Sequence, residues 1–296
     1  MNSHTHLIVG PGALGRLLAL SLMEHAPVLL AGRRKLPAEQ RLTTPEGSRL
    51  SRRPEMALTA TLPPVTPAFL HLTTKAYATT AAYTAVMDRL SVAPVLVLWQ
   101  NGYQVQPELT ACHPAAVLCA STTEGAWLES DAGVVHAGRG MTHIGDIGNR
   151  HRHQSDALAA QLNRAGLAAE ASADIKTRLW YKLAVNAAIN PLVARFRIRN
   201  GQLRDRPFRP MVERIIKEVA AIMAAENIAP PQEGWHALVW QVVAATAGNR
   251  ASMLQDVLAG RPTEREAILG PLLAAARHHG IPADRLAELD DQLSRA

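Results

Sequence analysis

Lys182, Asn186 and Asn190 stand at i, i+4 and i+8 of an otherwise apolar stretch running from Arg178 to Leu192. At 3.6 residues per turn they rise one above another on a single helix face. An ammonium and two carboxamides in register suit a polar ligand or polar side chains opposite them, because the ammonium donates hydrogen bonds and the amides both donate and accept them. Unpartnered on a largely buried helix, each group costs about 1–3 kcal/mol, so something polar is expected opposite them. A hydrogen-bonded network between helices satisfies the same pattern, and the stripe alone does not separate the two readings.

A second set lies near the N-terminus. Leu7-Ile8-Val9 reads as a short strand, followed directly by Gly10-Pro11-Gly12-Ala13-Leu14-Gly15 and a helical pattern reaching His25. This is the dinucleotide fingerprint in its required setting. Gly10 allows the tight turn, Gly12 admits a pyrophosphate, and Gly15 lets helix and strand pack closely. The helix opening at Ala13 and Leu14 offers free N–H groups and the positive end of the helix dipole. The next strand, Val28 to Ala31, ends in Gly32-Arg33-Arg34-Lys35. An acidic side chain there serves the ribose hydroxyl of NAD, whereas a guanidinium suits a 2′-phosphate. NADP(H) is therefore the expected cofactor, with Arg33 or Arg34 as its contact.

Two further strands, Ala68 to Thr74 and Val95 to Trp99, deliver Lys75 and Asn101 to their carboxyl ends. In doubly wound sheets that edge forms the ligand crevice, so both residues fall where cofactor and substrate meet. Glu264 follows Pro262-Thr263 in the first turn of a helix, where a carboxylate either serves the helix terminus or faces a ligand. His136, His143, His151 and His153 lack the paired carboxylate or cysteine spacing of a metal site and read as core or surface residues. No metal is expected.

These residues require two scaffolds. The first, residues 1–172, reads as an α/β Rossmann-like domain. Its first strand is followed by a helix, Leu36 to Thr66 after the second reads as hairpin and loop, and the strand from Ala68 is followed by a helix over about 79–90. The sheet continues through Ala116 to Ala120. Gly133–Gly138 and Met141–Gly145 are expected to pair antiparallel at its end, before a helix over 155–165 and a short strand over 167–171. The second, residues 173–296, reads as all-α, with helices ending near Arg195 and spanning about 208–227, 235–246 and 262–279. The site then falls between the domains.

Composition agrees with two globular domains. The chain has 296 residues, 48% of them hydrophobic but only 4% aromatic, so Leu, Ala and Val carry the packing. The net charge of +6 is scattered apart from short basic runs, and no motif reads a nucleic-acid groove. The sequence shows neither a charged-then-apolar leader nor an apolar run of the roughly 18–20 residues that a membrane span needs, so a cytoplasmic enzyme is expected. Cys112 and Cys119, without a CxxC, read as small core residues.

Over nearly its whole length the chain resembles the ketopantoate reductases (2-dehydropantoate 2-reductases). The resemblance is carried by Gly10-x-Gly12-x-x-Gly15, Lys75-Ala76, Asn101-Gly102 and Thr142-His143-Ile144-Gly145. It extends to Leu179-Trp180-x-Lys182-Leu183-Ala184-Val185-Asn186-x-x-Ile189-Asn190-Pro191-Leu192, and to Ser252-Met253-Leu254-Gln255-Asp256 followed by Thr263-Glu264. The last two segments, in that order and separation, are specific to the family. The resemblance implies NADPH-dependent reduction of 2-dehydropantoate to (R)-pantoate in pantothenate and coenzyme A biosynthesis. Lys182 would be the general acid and Glu264 would hold the substrate. Asn101, Asn186, Asn190 and Ser252 match positions that contact substrate or order the site. Gly10, Gly12, Gly15, Arg33, Lys75 and Asn101 match cofactor positions, and Ala126 aligns with a backbone contact to the nicotinamide end. The implied partner is a small-molecule substrate, with neither nucleic acid nor membrane, and family members occur as monomers and homodimers.

One departure stands out: where the family has an Asn-Gly pair after Thr-Glu, this chain has Leu269-Gly270, and Arg265-Glu266 replaces Ile-Asp. The change bears on helix packing or on substrate contacts. It keeps open a reductase of another branched 2-oxo acid. A non-catalytic NADP-binding regulator would be expected to lose Lys182 and Glu264, and both are present.

Overall fold

The segment from His6 to Val9 (β1) is buried at all four positions, as a strand inside a parallel sheet must be. It opens a chain of elements that the structure, a computed structural model, describes from residue 5 to residue 294. Residues 1–4, part of the stretch read as lacking a leader, lie outside the described residues. By its packing the chain divides into two compact units. One holds the residues up to Gln100 together with Val105–Arg178, and the other holds Asn101–Gln104 together with the chain from Leu179 onward.

In the first unit, β1 is followed by α1 (Ala13–Leu22), β2 (Val28–Gly32), β3 (Gln40–Thr43), β4 (Arg49–Arg52), β5 (Glu55–Leu58), β6 (Phe69–Leu72) and α2 (Thr79–Met87). Then come β7 (Val95–Leu98), α3 (Val105–Cys112), β8 (Val117–Thr122), β9 (Gly125–Ser130), β10 (Gly133–Gly138), β11 (Thr142–Gly145), α4 (Arg152–Arg164) and β12 (Ala169–Ala171). The main sheet runs β12-β11-β8-β7-β6-β1-β2-β5, parallel throughout except where β11 meets β8. The strand order reverses between β1 and β6, and that switch point is where an open α/β sheet holds its ligand. The α/β expectation is met.

Two details differ from the reading by pattern. Gly133–Gly138 and the strand at 142–145 do not pair with each other. β10 lies in a second, four-stranded sheet, β4-β3-β10-β9, while β11 lies in the main sheet beside β8 and β12. Alternation reports that a strand has a buried face but not which strand it pairs with. Here the chain crosses between sheets at Gly140, where a Cβ would come within 2.3 Å of the Thr123 backbone. The hairpin expected over 36–66 is β3–β4, but the rest of that stretch, read as loop, contains β5, which extends the main sheet in parallel with β2. Cys119 is a core residue as expected, but Cys112, in the last turn of α3, is exposed.

From Leu179 onward the second unit's regular elements, among its described residues, are helices: the greater part of α5 (Ile175–Phe196), then α6 (Arg209–Ala225), α7 (Gly234–Ala245), α8 (Ser252–Leu258), α9 (Arg265–His279) and α10 (Asp284–Ser294). Leu183, Ala187, Ile216, Val219, Leu269 and Leu272 belong to its apolar core. α5 carries Pro191 in its interior, which removes one ladder hydrogen bond directly after Asn190.

Candidate active site

In the first unit the fingerprint loop is shaped by what it cannot accommodate. Gly10 leaves β1 at φ +110°, a backbone conformation that disfavours any side chain, and a Cβ there would lie 2.7 Å from the Thr74 amide nitrogen. At Gly15 a Cβ would stand 2.1 Å from the Gly10 carbonyl oxygen and 2.5 Å from Thr73 Oγ1. Thr73 Oγ1 donates to that same carbonyl at 2.7 Å and so braces the loop. Gly12 differs, because a Cβ built on it meets nothing within 4 Å. It sits at the N-cap of α1, where no side chain caps the free N–H groups, so Ala13 and Leu14 open a helix onto unfilled space. Uncapped amides, a positive helix end and room for close backbone approach fit a pyrophosphate.

Next to this loop is a cavity of about 470 Å³ with walls that include Pro11, Gly32, Arg34, Lys35, Met56 and Leu58. The two candidate arginines differ. Arg34 donates from Nη1 and Nη2 to the two carboxylate oxygens of Asp131 at 2.7 and 2.5 Å. Arg33 is exposed and makes no hydrogen bond or ion pair among the described residues. Lys75 is half-buried at the head of a short 3-10 turn, and its carbonyl accepts from the Ala78 amide and from Thr79 Oγ1. Ala126 lies on β9 opposite His136 of β10.

The sequence reading missed Arg16, which is buried within α1 at 1% exposure. Its Nε donates to the Pro11 carbonyl at 2.9 Å, and its Nη1 donates to the carbonyls of Ser130 and Asp131 at 3.0 and 2.8 Å. One side chain thus ties the fingerprint loop to the β9–β10 turn. The available signal was an arginine in the apolar run Ala13-Leu14-Gly15-Arg16-Leu17-Leu18, where a buried charge needs acceptors. The buried pair His136 Nε2 and Glu124 Oε2, 2.5 Å apart, was missed as well.

In the second unit, α5 carries the polar stripe as the 3.6-residue period requires. Lys182 and Asn186 are half-buried and Asn190 is 7% exposed. Neither amide side chain has a hydrogen-bond partner among the described residues, an arrangement that leaves two NH2 groups and two carbonyl oxygens for a ligand. Burial brings the Lys182 ammonium down from its ordinary range to about 8, against the opposing pull of the Glu264 carboxylate.

Glu264 is the N-cap residue of α9, one position before the first turn where the sequence pattern places it. Its side chain makes no capping bond to its own helix. It accepts instead from Asn101 Nδ2 at 3.2 Å. The loop holding Asn101 is fixed to the same helix: the Tyr103 amide donates to the Ala267 carbonyl, and Gly102, at φ +87°, packs so closely there that a Cβ would lie 2.1 Å from that oxygen. Arg261 donates to the buried Asp256 carboxylate at 3.0 Å, which stiffens the turn leading to Glu264. Ser252 is exposed as the first residue of α8. Leu269 is fully buried in the apolar core, so the departure at that position is a packing change.

A family model described as Ketopantoate reductase PanE/ApbA matches residues 6–149, and one described as Ketopantoate reductase PanE/ApbA C terminal matches residues 174–294. The chain is 34% identical over 276 residues to a 2-dehydropantoate 2-reductase of Vibrio cholerae serotype O1, spanning 93% of this chain and 92% of that protein. A solved 2-dehydropantoate 2-reductase from Geobacter metallireducens GS-15 superposes with a TM-score of 0.88 at 22% identity, over 98% of this chain and 99% of that one. A D-mandelate dehydrogenase solved with NADH and anilino(oxo)acetate superposes with a TM-score of 0.86 at 20% identity, over 98% and 97% of the two chains. At those identities the two structures speak for the fold. The match of both family models and the near full-length identity to a curated relative say more: the chain belongs to the ketopantoate reductase family.

Proposed function

We propose that this chain reduces 2-dehydropantoate to (R)-pantoate with NADPH, a step of pantothenate and coenzyme A biosynthesis. The observation that carries the reading is the group formed by Lys182, tuned to about 8 by burial and Glu264, with the unpartnered amides of Asn186 and Asn190 one and two turns along the same helix. When bound, the reduced nicotinamide supplies a hydride to the 2-oxo carbon. Lys182 Nζ stabilises the negative charge developing on the carbonyl oxygen and gives it a proton. With a pKa near 8 the lysine is about nine-tenths protonated at pH 7, yet it releases its proton more readily than an ordinary lysine.

Glu264, held by Asn101, favours the charged form of Lys182 and accepts from the substrate hydroxyl. Asn186, Asn190 and Ser252 orient the substrate by hydrogen bonds. On the cofactor side, Gly10, Gly12 and Gly15 shape the loop, the amides of Ala13 and Leu14 receive the pyrophosphate, Arg33 takes the 2′-phosphate, and Lys75, Asn101 and the Ala126 backbone line the path to the nicotinamide. Residues 1–172 would serve as the cofactor domain and 173–296 as the substrate domain. The proposal includes a cytoplasmic enzyme acting as a monomer or homodimer; among the described residues no helix is long and apolar enough to cross a membrane.

The test is the fall in NADPH absorbance on adding 2-dehydropantoate, beside parallel reactions with NADH and other branched 2-oxo acids. Rapid oxidation with 2-dehydropantoate and NADPH is expected. Preference for another 2-oxo acid overturns the substrate, and tight NADPH binding without turnover of any 2-oxo acid overturns the enzyme reading.

A further inference from the structure

We propose that Asp131 sets the cofactor selectivity of the site by occupying the Arg34 guanidinium, which leaves Arg33 as the single arginine that meets a 2′-phosphate. The inference deepens the NADPH reading above and rests on it. Two adjacent arginines follow β2, and their states are opposite: Arg34 is bound at both terminal nitrogens by one carboxylate, while Arg33 is exposed with no hydrogen bond or ion pair among the described residues. A bidentate guanidinium has spent the fork geometry with which it would grip a phosphate.

The position of Asp131 is built into the fold. Its main-chain carbonyl accepts from buried Arg16 at 2.8 Å and from Gln40 Nε2 at 3.2 Å, and Arg16 also holds the Pro11 carbonyl of the fingerprint loop. The Asp131 backbone is therefore fixed to the cofactor loop, and its side chain is presented to Arg34, which walls the adjacent cavity. The chain Pro11, Arg16, Asp131, Arg34 couples the element that would hold the pyrophosphate to the element that would read the ribose. Asp131 acts as a selectivity residue through Arg34. Holding Arg34 in this way weakens 2′-phosphate binding.

The test is calorimetric titration of the full chain with adenosine 2′,5′-bisphosphate and with AMP at low ionic strength, which needs neither substrate nor turnover. Asp131→Asn keeps the main-chain carbonyl that Arg16 and Gln40 hold. The pair is exposed, so the gain is bounded: the bisphosphate should bind about three- to tenfold more tightly in Asp131→Asn, with AMP unchanged. That gain should vanish when Arg34→Ala is already present. Equal changes for both ligands, no change in either, or a gain that survives Arg34→Ala would each overturn the proposal. A wild-type chain that fails to prefer the bisphosphate over AMP overturns the NADP reading itself, which is a separate result.

Discussion

Asn101 Nδ2 donates to Glu264 Oε2 at 3.2 Å, joining the third residue after β7 to the N-cap residue of α9. The hydrogen bond leaves the second carboxylate oxygen of Glu264 outside this pair, and the same carboxylate acts electrostatically on Lys182. Glu264 thus opens α9 without a side-chain capping bond, and its carboxylate engages other side chains instead.

Because burial lowers Lys182 to about 8, the reduction should lose its proton donor in the alkaline range. The limiting kcat/KM is expected to be level below about pH 8 and to fall tenfold per pH unit above it. In Glu264→Gln the charge favouring the ammonium is gone, so the falling limb should move to lower pH. A pH profile of that variant whose limb stays in place or moves upward removes the coupling.

Lys182→Ala should reduce kcat by roughly 10²–10⁴ while NADPH binding, followed by fluorescence titration, is retained. Turnover near that of the unmodified chain would take the lysine out of the mechanism.

Gly12 and Gly15 should respond differently to the same methyl group. Gly15→Ala places a Cβ 2.1 Å from the Gly10 oxygen, so thermal stability and NADPH binding should both fall, with overpacking costing about 1–3 kcal/mol. Gly12→Ala meets no protein atom within 4 Å and should keep its melting midpoint while binding NADPH at least tenfold more weakly. Equal melting losses in the two variants would contradict the open side of the loop.

The first unit also carries a buried chain of rings. Trp99 Nε1 donates to His71 Nδ1 at 3.1 Å, so neutral His71 holds its proton on Nε2 and donates it to His6 Nδ1 at 3.0 Å. Burial lowers His6 to about 4 and His71 well below its ordinary value. The unfolded chain binds a proton at His6 below about 6.5 and the folded chain does not until about 4. Stability is therefore full above 6.5 and declines as pH falls between those values. Urea midpoints at pH 7.5, 6.5 and 5.5 should show a decline that begins below 6.5, before carboxylates titrate; a flat profile over that range would falsify the account.

The sequence made some of these elements legible because they repeat locally. The glycines between strand and helix, the stripe on α5 and the pair Thr263-Glu264 are short patterns, with spacings that carry their geometry. What stayed hidden depends on distant partners. The β10 pattern shows one buried face but cannot say that β3 and β9 flank it rather than β11. β9 has four exposed positions of six and gives little hydrophobic signal. Three of the four hydrogen bonds of Arg16, and the pairing of Arg34, reach residues 24 to 115 positions along the chain, and no local period encodes them.

Two of the carbonyls that receive Arg16 lie 114 and 115 residues farther along the chain, at the turn that brings β10 alongside β3. During synthesis all three fingerprint glycines leave the ribosome long before Ser130 and Asp131 exist. A nascent chain ending before β9 would carry the full fingerprint and an arginine in an apolar helix with two of its four acceptors unmade. Closing a loop of that length costs entropy that only the completed second sheet repays, so the cofactor loop is expected to be among the last parts of its unit to become rigid.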